Sequence, residues 1–182
     1  MNGAEPIAGG GSNVFTYGSL MFPAVWTRVV SASYRSVAAT LPGFRRQRVR
    51  GEDYPALERV AKEDRRATVD GILYLDVSPG DLALLDAFEG EDYRRIEATV
   101  AVAPLAVAPP AAADSVAPGP VAVQTCRPAG AAVMLPAQVY LFVASAKVEA
   151  GEWDPAEFER ERIERFLRTY PMPAARERRG TR

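Results

Sequence analysis

Short apolar runs, each cut off by Gly, Pro or charge, recur along the chain and predict many short elements. Val14-Phe15-Thr16-Tyr17 is the first, an apolar and aromatic strand broken by Gly18-Ser19. Leu20 to Val30 then predicts a turn or a short helix with Pro23 in its first turn. Ser33 to Leu41 has the β-branched and small residues of a strand, closed by Pro42-Gly43. Phe44 to Val49 reads as a curled sheet edge carrying Arg45, Arg46 and Arg48, with Arg50 just beyond. Two short extended pieces follow, separated by a polar turn within 51–69.

Val69 to Leu75 is the next strand, and Ser78-Pro79-Gly80-Asp81 turns the chain into a short helix. Leu84, Leu85 and Phe88 have helical spacing there, and Gly90 ends the element. Tyr93 to Val102 offers most of an alternating face, and Gln138 to Val143 is a further strand. The last helix has the clearest start: Asp154 as N-cap, Pro155 at the first position and Glu157 at the third. Its apolar side comprises Phe158, Ile163, Phe166, Leu167 and Tyr170, with an irregular step from Phe158 to Ile163. Glu161 with Arg165 and Glu164 with Arg168 are spaced for i,i+4 ion pairs.

Composition changes at about residue 103. From Ala101 to Pro136 there are 12 Ala and 7 Pro among 36 residues, which precludes one regular helix because each interior Pro costs roughly 3 kcal/mol. That stretch is either an extended hairpin with an irregular tip or a mobile insertion. The expected organisation is a flexible Gly-rich tail over 1–12, one domain over 13–170 with the Ala/Pro insertion at about 103–136, and a basic tail over 171–182.

The balance of 22 Lys and Arg against 23 Asp and Glu argues against a generally basic nucleic-acid binder. There is no His, which removes His-dependent triads and HExxH metal sites. The lone Cys126 allows no internal disulfide framework or four-Cys zinc site. No run of about 20 apolar residues predicts a membrane-spanning helix. The first residues lack a basic and an apolar region of the signal-peptide kind, so the expectation is a cytoplasmic protein.

Two clusters can carry chemistry. In Tyr17-Gly18-Ser19-Leu20, a strand enters a small-residue turn whose successive N–H groups can converge on a carboxylate; the same pattern also makes an ordinary turn. In Asp86 to Arg95, Glu89 sits at a helix end just before Gly90. Partial burial there would raise its pKa and suit it to proton abstraction. The alternative is a group of surface acids, Glu89, Glu91 and Asp92, neutralised by Arg94 and Arg95. Ser19 lacks a His partner, and Cys126 has no neighbouring base. Asp53-Tyr54-Pro55-Ala56 either lines a cleft or forms a surface turn. The Arg45 to Arg50 run reads as a solvated face rather than an RNA groove, since no aromatic platform accompanies it.

In combination these pieces carry a resemblance. VFTYGSLM (Val14 to Met21), YPAL (Tyr54 to Leu57), GILYLD (Gly71 to Asp76), LDAFEGEDYRR (Leu85 to Arg95), VYLF (Val139 to Phe142) and GEWDPAEF (Gly151 to Phe158) occur in the order typical of one family. The chain resembles the gamma-glutamylcyclotransferase-like superfamily, particularly its AIG2-like branch. The resemblance implies an α+β fold: a small mixed, largely antiparallel β-barrel with flanking short helices. It implies an enzyme that cyclises a γ-glutamyl amide to 5-oxoproline and releases an amine or amino acid. Glu89 would be the catalytic acid/base, Tyr17 to Leu20 the loop holding the substrate's α-carboxylate, and Tyr93 a residue shaping the pocket or bonding the ligand. Tyr54 is placed at the pocket rim. The implied partner is a small γ-glutamyl substrate, with no metal, cofactor, nucleic acid or membrane required and the oligomeric state open. A non-catalytic binding or regulatory domain on the same fold is the alternative, recognised by a cleft filled with Phe22, Trp26 or the insertion.

Overall fold

The computed structural model describes residues 10–61, 64, 66–103 and 132–170. Most of both tails and of the Ala/Pro insertion, Cys126 included, lie outside the described residues. Five strands close a barrel in the order β1 (Ser12–Thr16), β5 (Thr68–Val77), β2 (Ser36–Pro42), β6 (Tyr93–Val102) and β7 (Val133–Phe142). All neighbours are antiparallel except β1 and β7, which meet in parallel at Val14 and Gln138. This is the mixed, largely antiparallel α+β barrel expected from the resemblance. The last barrel strand starts at Val133, five residues before Gln138, and pairs with β6 from Val102↔Val133 to Tyr93↔Phe142.

Alternation along the strands separates two cores. Phe15, Leu73 and Val139 fill the barrel with Leu41 and Val100. Their chain neighbours Val14, Tyr74 and Tyr140 face outward into a second cluster, built with the helices. Phe44 and Leu57 belong to the barrel cluster although they come from another sheet. That sheet has β3 (Phe44–Val49) between β4 (Pro55–Arg59) and β8 (Val148–Glu152). The Arg-bearing strand is therefore a central strand of a second sheet, not an edge of the first. The charges that made it look like an edge are matched locally: Arg45 with Asp64, Arg48 with Glu157, and Arg50 with Glu149. Arg46 is buried, which overturns the solvated reading for that residue.

After β1 a 3-10 turn (Ser19–Met21) leads into α1 (Pro23–Val29), with Pro23 in its first turn. Helix α2 (Pro79–Glu89) is capped by Ser78, whose Oγ accepts from the Asp81 N–H at 3.2 Å. It stops at Gly90, whose φ of 66° is cheap only without a Cβ. The C-terminal helix begins as α3 (Pro155–Glu157), capped by Asp154, and continues through a π turn (Phe158–Arg162) into α4 (Ile163–Thr169). The five-residue step from Phe158 to Ile163 matches the i→i+5 repeat of that turn. The expected Glu161–Arg165 and Glu164–Arg168 pairs are not formed among the described residues. Arg165 instead reaches the mostly buried carboxylate of Asp53, and Glu161 pairs with Arg160. No helix among the described residues is long and apolar enough to cross a membrane.

Candidate functional site

The end of β1, the end of α2, the start of β4 and the C-terminal helix surround a narrow cleft with about 20 Å³ of free volume. All seven residues singled out from the sequence line it: Tyr17, Gly18, Ser19, Leu20, Tyr54, Glu89 and Tyr93.

Glu89 is the last residue of α2, held by Leu85 and Phe88, both buried in the outer cluster. It is half-buried by surface area and joins no ion pair among the described residues. Burial, and then the charge of Asp86, pushes its carboxyl up to about 8. Its place at a helix C-terminus, where partial negative charge accumulates, works in the same direction. Asp86 is itself engaged, accepting from Arg95 Nε at 2.9 Å and from the Tyr140 hydroxyl at 2.8 Å. Asp92 also has its own partner, Lys147. Glu89 is therefore not one member of a neutralised surface cluster.

The loop after β1 faces the same cleft. Gly18 has φ −127°, so it is not there for a left-handed conformation. A Cβ would lie 2.8 Å from the Pro55 ring, and only Gly allows that approach. Met21 N–H donates to Gly18 O and Phe22 N–H to Ser19 O. The Gly18, Ser19 and Leu20 amides donate to no acceptor among the described residues. The carbonyl of Tyr17, which could have closed a 3-10 bond with Leu20 N–H, accepts from Arg46 at 3.0 Å.

The aromatic residues mostly build walls. Tyr17 donates its hydroxyl to Tyr140 O at 2.6 Å, and burial pushes its pKa well up. Tyr93 donates to Pro55 O at 2.6 Å, so its hydroxyl is committed to the protein and its ring shapes the cleft. Tyr54 sits edge-on to both Tyr93 and Tyr170, and its pKa is pushed up to about 12, first by burial.

Phe166 and Tyr170 were not anticipated as lining residues. Their i,i+4 spacing marked an apolar helix side, but nothing local said that it covers the cleft. Their rings stack with centroids 4.6 Å apart and, with Phe88, leave little more than water-sized gaps around Glu89. Phe22 and Trp26 do not fill the cleft: Phe22 packs on Phe158, and Trp26 stacks on Tyr74 at 3.5 Å.

The arrangement pairs unsatisfied backbone donors with a carboxyl that gains and loses a proton near neutral pH. It can hold a small carboxylate and exchange a proton with a group beside it.

The family model described as gamma-glutamyl cyclotransferase, AIG2-like matches residues 14–155. AIG2-like protein A of Arabidopsis thaliana is 38% identical over 84 residues, covering 46% of this chain and 48% of the relative. Protein AIG2 C of the same plant is 34% identical over 88 residues, covering 48% and 51%. The chain thus spans about half the length of the curated relatives it matches. Two Arabidopsis thaliana solution structures superpose with TM-scores of 0.52 and 0.54, each at 25% identity. The first alignment covers 87% of both chains; the second covers 93% of this chain and 84% of the other.

Proposed function

Since the chain belongs to the gamma-glutamyl cyclotransferase, AIG2-like family, we propose that it cyclises a γ-glutamyl amide to 5-oxoproline and releases the attached amine or amino acid, with the cytoplasm as its expected setting. The observation that carries this reading is the shared cleft: Glu89 and the free amides after β1 line one small space.

The substrate's α-carboxylate rests on the Gly18, Ser19 and Leu20 amides. Its α-ammonium is no nucleophile until it loses a proton, and Glu89 takes that proton. A carboxyl pushed up to about 8 is a far stronger proton acceptor than an ordinary carboxylate, which narrows its gap to an α-ammonium. The freed amine attacks the γ-carbonyl carbon of the same molecule, and a five-membered lactam closes. Holding both ends together removes much of the entropic cost of an encounter. Protonated Glu89 returns its proton to the departing nitrogen, takes the second proton that the attacking nitrogen sheds as the new C–N bond forms, and the bond from the γ-carbon to the departing nitrogen breaks. That second proton also ends on the released amine, which leaves as an ammonium, so atoms and charge balance with no other reactant. Tyr54 and Tyr93 contribute walls.

Incubating the protein with a panel of γ-glutamyl amino acids and γ-glutamyl amines, with mass detection of 5-oxoproline, tests the proposal. Wild type should turn over at least one member, and Glu89→Gln, nearly isosteric, should lose about 100-fold or more. No turnover above Glu89→Gln across a broad panel would remove the basis for the assignment. Crowding by Phe166 and Tyr170 favours a second reading, ligand binding without turnover. Saturable binding of γ-glutamyl amides with no product would support it.

A further inference from the structure

Among the described residues Arg46 is the one buried cation, and the proposed reaction does not use it. Its side chain is 7% exposed and lies between the second sheet and the loop after β1. Nη1 donates to Tyr17 O at 3.0 Å and to Asp70 O at 3.4 Å, and the guanidinium lies 5.5 Å from the Trp153 ring. Nε is buried without a partner. The one carboxylate within ion-pair reach among the described residues is Glu152, 3.7 Å away and 79% exposed. A buried cation with so weak a counter-ion is costly unless something else supplies negative charge.

Its bond to Tyr17 O ties this cation to the loop whose amides face the cleft. Tyr17 C=O and Gly18 N–H belong to one trans peptide unit and point in opposite directions, so a donor on the oxygen fixes where the N–H aims. From standard peptide dimensions, Nη1 is roughly 5 Å from the Gly18 nitrogen. A charged donor on the carbonyl also polarises the peptide and strengthens its N–H as a donor. Occupation of Tyr17 O by Arg46 accompanies a free Leu20 N–H in the same loop.

We propose that Arg46 is a positioning residue for carboxylate recognition: it holds and polarises the Tyr17–Gly18 peptide, so that the Gly18 N–H is aimed at, and strengthened for, a ligand carboxylate in the loop. This rests on the functional reading above only for the identity of the natural ligand. It concerns a residue behind the loop, not one touching the substrate.

The test uses two probes differing by one group, 5-oxoproline and 2-pyrrolidinone, the same lactam without the carboxylate. Their affinities are measured by NMR titration for wild type, Arg46→Lys and Arg46→Met, together with kcat and KM for any γ-glutamyl amide that wild type turns over. Arg46→Met should weaken 5-oxoproline at least tenfold and leave 2-pyrrolidinone unchanged, with the kinetic loss in KM rather than kcat. Arg46→Lys should recover part of it. If the variants fail to fold, wild type alone decides: its Gly18 amide and Arg46 Nε–H resonances should move with 5-oxoproline and not with 2-pyrrolidinone. Equal weakening of both probes, no weakening of either, or unmoved resonances would overturn the proposal. Turnover by wild type with an unaltered KM in Arg46→Met refutes this role and leaves the cyclotransferase standing. Carboxylate-dependent binding without turnover does the reverse.

Discussion

Glu89 keeps a carboxyl where burial and Asp86 disfavour its charge, which bears on stability and on the proposed activity. As the base of the proposed reaction Glu89 must be ionised, so kcat/KM should rise with pH to a limb near 8, read from a pH–rate profile. Asp86→Asn removes the second cause and should move that limb to lower pH. The stability effect has the opposite sense from that of most carboxylates. The folded pKa lies above the unfolded value of 4.5, so the fold favours the protonated form. Its contribution is fully present below 4.5 and is lost as pH rises through about 8. Glu89→Gln, which cannot ionise, should therefore gain on wild type across that window and hold a constant advantage above it. Urea unfolding at pH 5 and pH 9 should show a relative gain of about 2 kcal/mol, reduced from the full shift because water reaches a half-buried carboxylate.

At the scale of elements, two buried or half-buried acids tie helices to loops. Asp81, 1% exposed at the start of α2, accepts from Ser31 N–H, Ser31 Oγ, Ala32 N–H and the Tyr34 hydroxyl. Burial alone would raise its pKa, but these donors outweigh it and hold the carboxyl low. Its contribution is present above the unfolded pKa and is lost as pH falls through the folded one. Asp81→Ala, which orphans several donors, should cost about 3 kcal/mol by chemical denaturation at pH 7. Asp53 binds Arg162 and Arg165, while its carbonyl accepts from Trp153 Nε1 at 2.8 Å. It thereby fastens the C-terminal helix to the loop that carries Tyr54. In Asp53→Asn, amide exchange should quicken over 163–169 while the barrel strands stay protected. Tyr170→Ala, removing one ring of the narrow cleft, should speed association with 5-oxoproline in stopped-flow measurements.

Across the whole molecule, what sequence revealed depended on whether the information was local. Alternation, Pro23, Asp154 and Gly90 mark their elements with nearest-neighbour chemistry, and the structure has those elements. Strand partnership is not local. Phe44 to Val49 looked like an edge because its charges resemble edge protection, yet their partners Asp64, Glu149 and Glu157 lie 19–109 residues away. Arg46 was misjudged for the same reason: no feature of its own segment reveals that Tyr17 O and Trp153 enclose it. The cleft was legible where ordered motifs named its residues, from Tyr17 to Tyr93. It was hidden where an ordinary apolar stripe, Phe166 and Tyr170, closes it from the far end of the domain. The irregular step at Phe158 was visible, but the π turn behind it emerges only when Phe158 and Phe166 are both packed into one cluster.

The most direct measurement is a crystal structure of Glu89→Gln with a γ-glutamyl amide bound. The ligand's carboxylate should lie on the Gly18 to Leu20 amides and its α-nitrogen at about 3 Å from the residue 89 side chain, with the γ-carbonyl carbon in reach of that nitrogen. A ligand bound outside the cleft, or one whose α-nitrogen points away from residue 89, would contradict the proposed reaction.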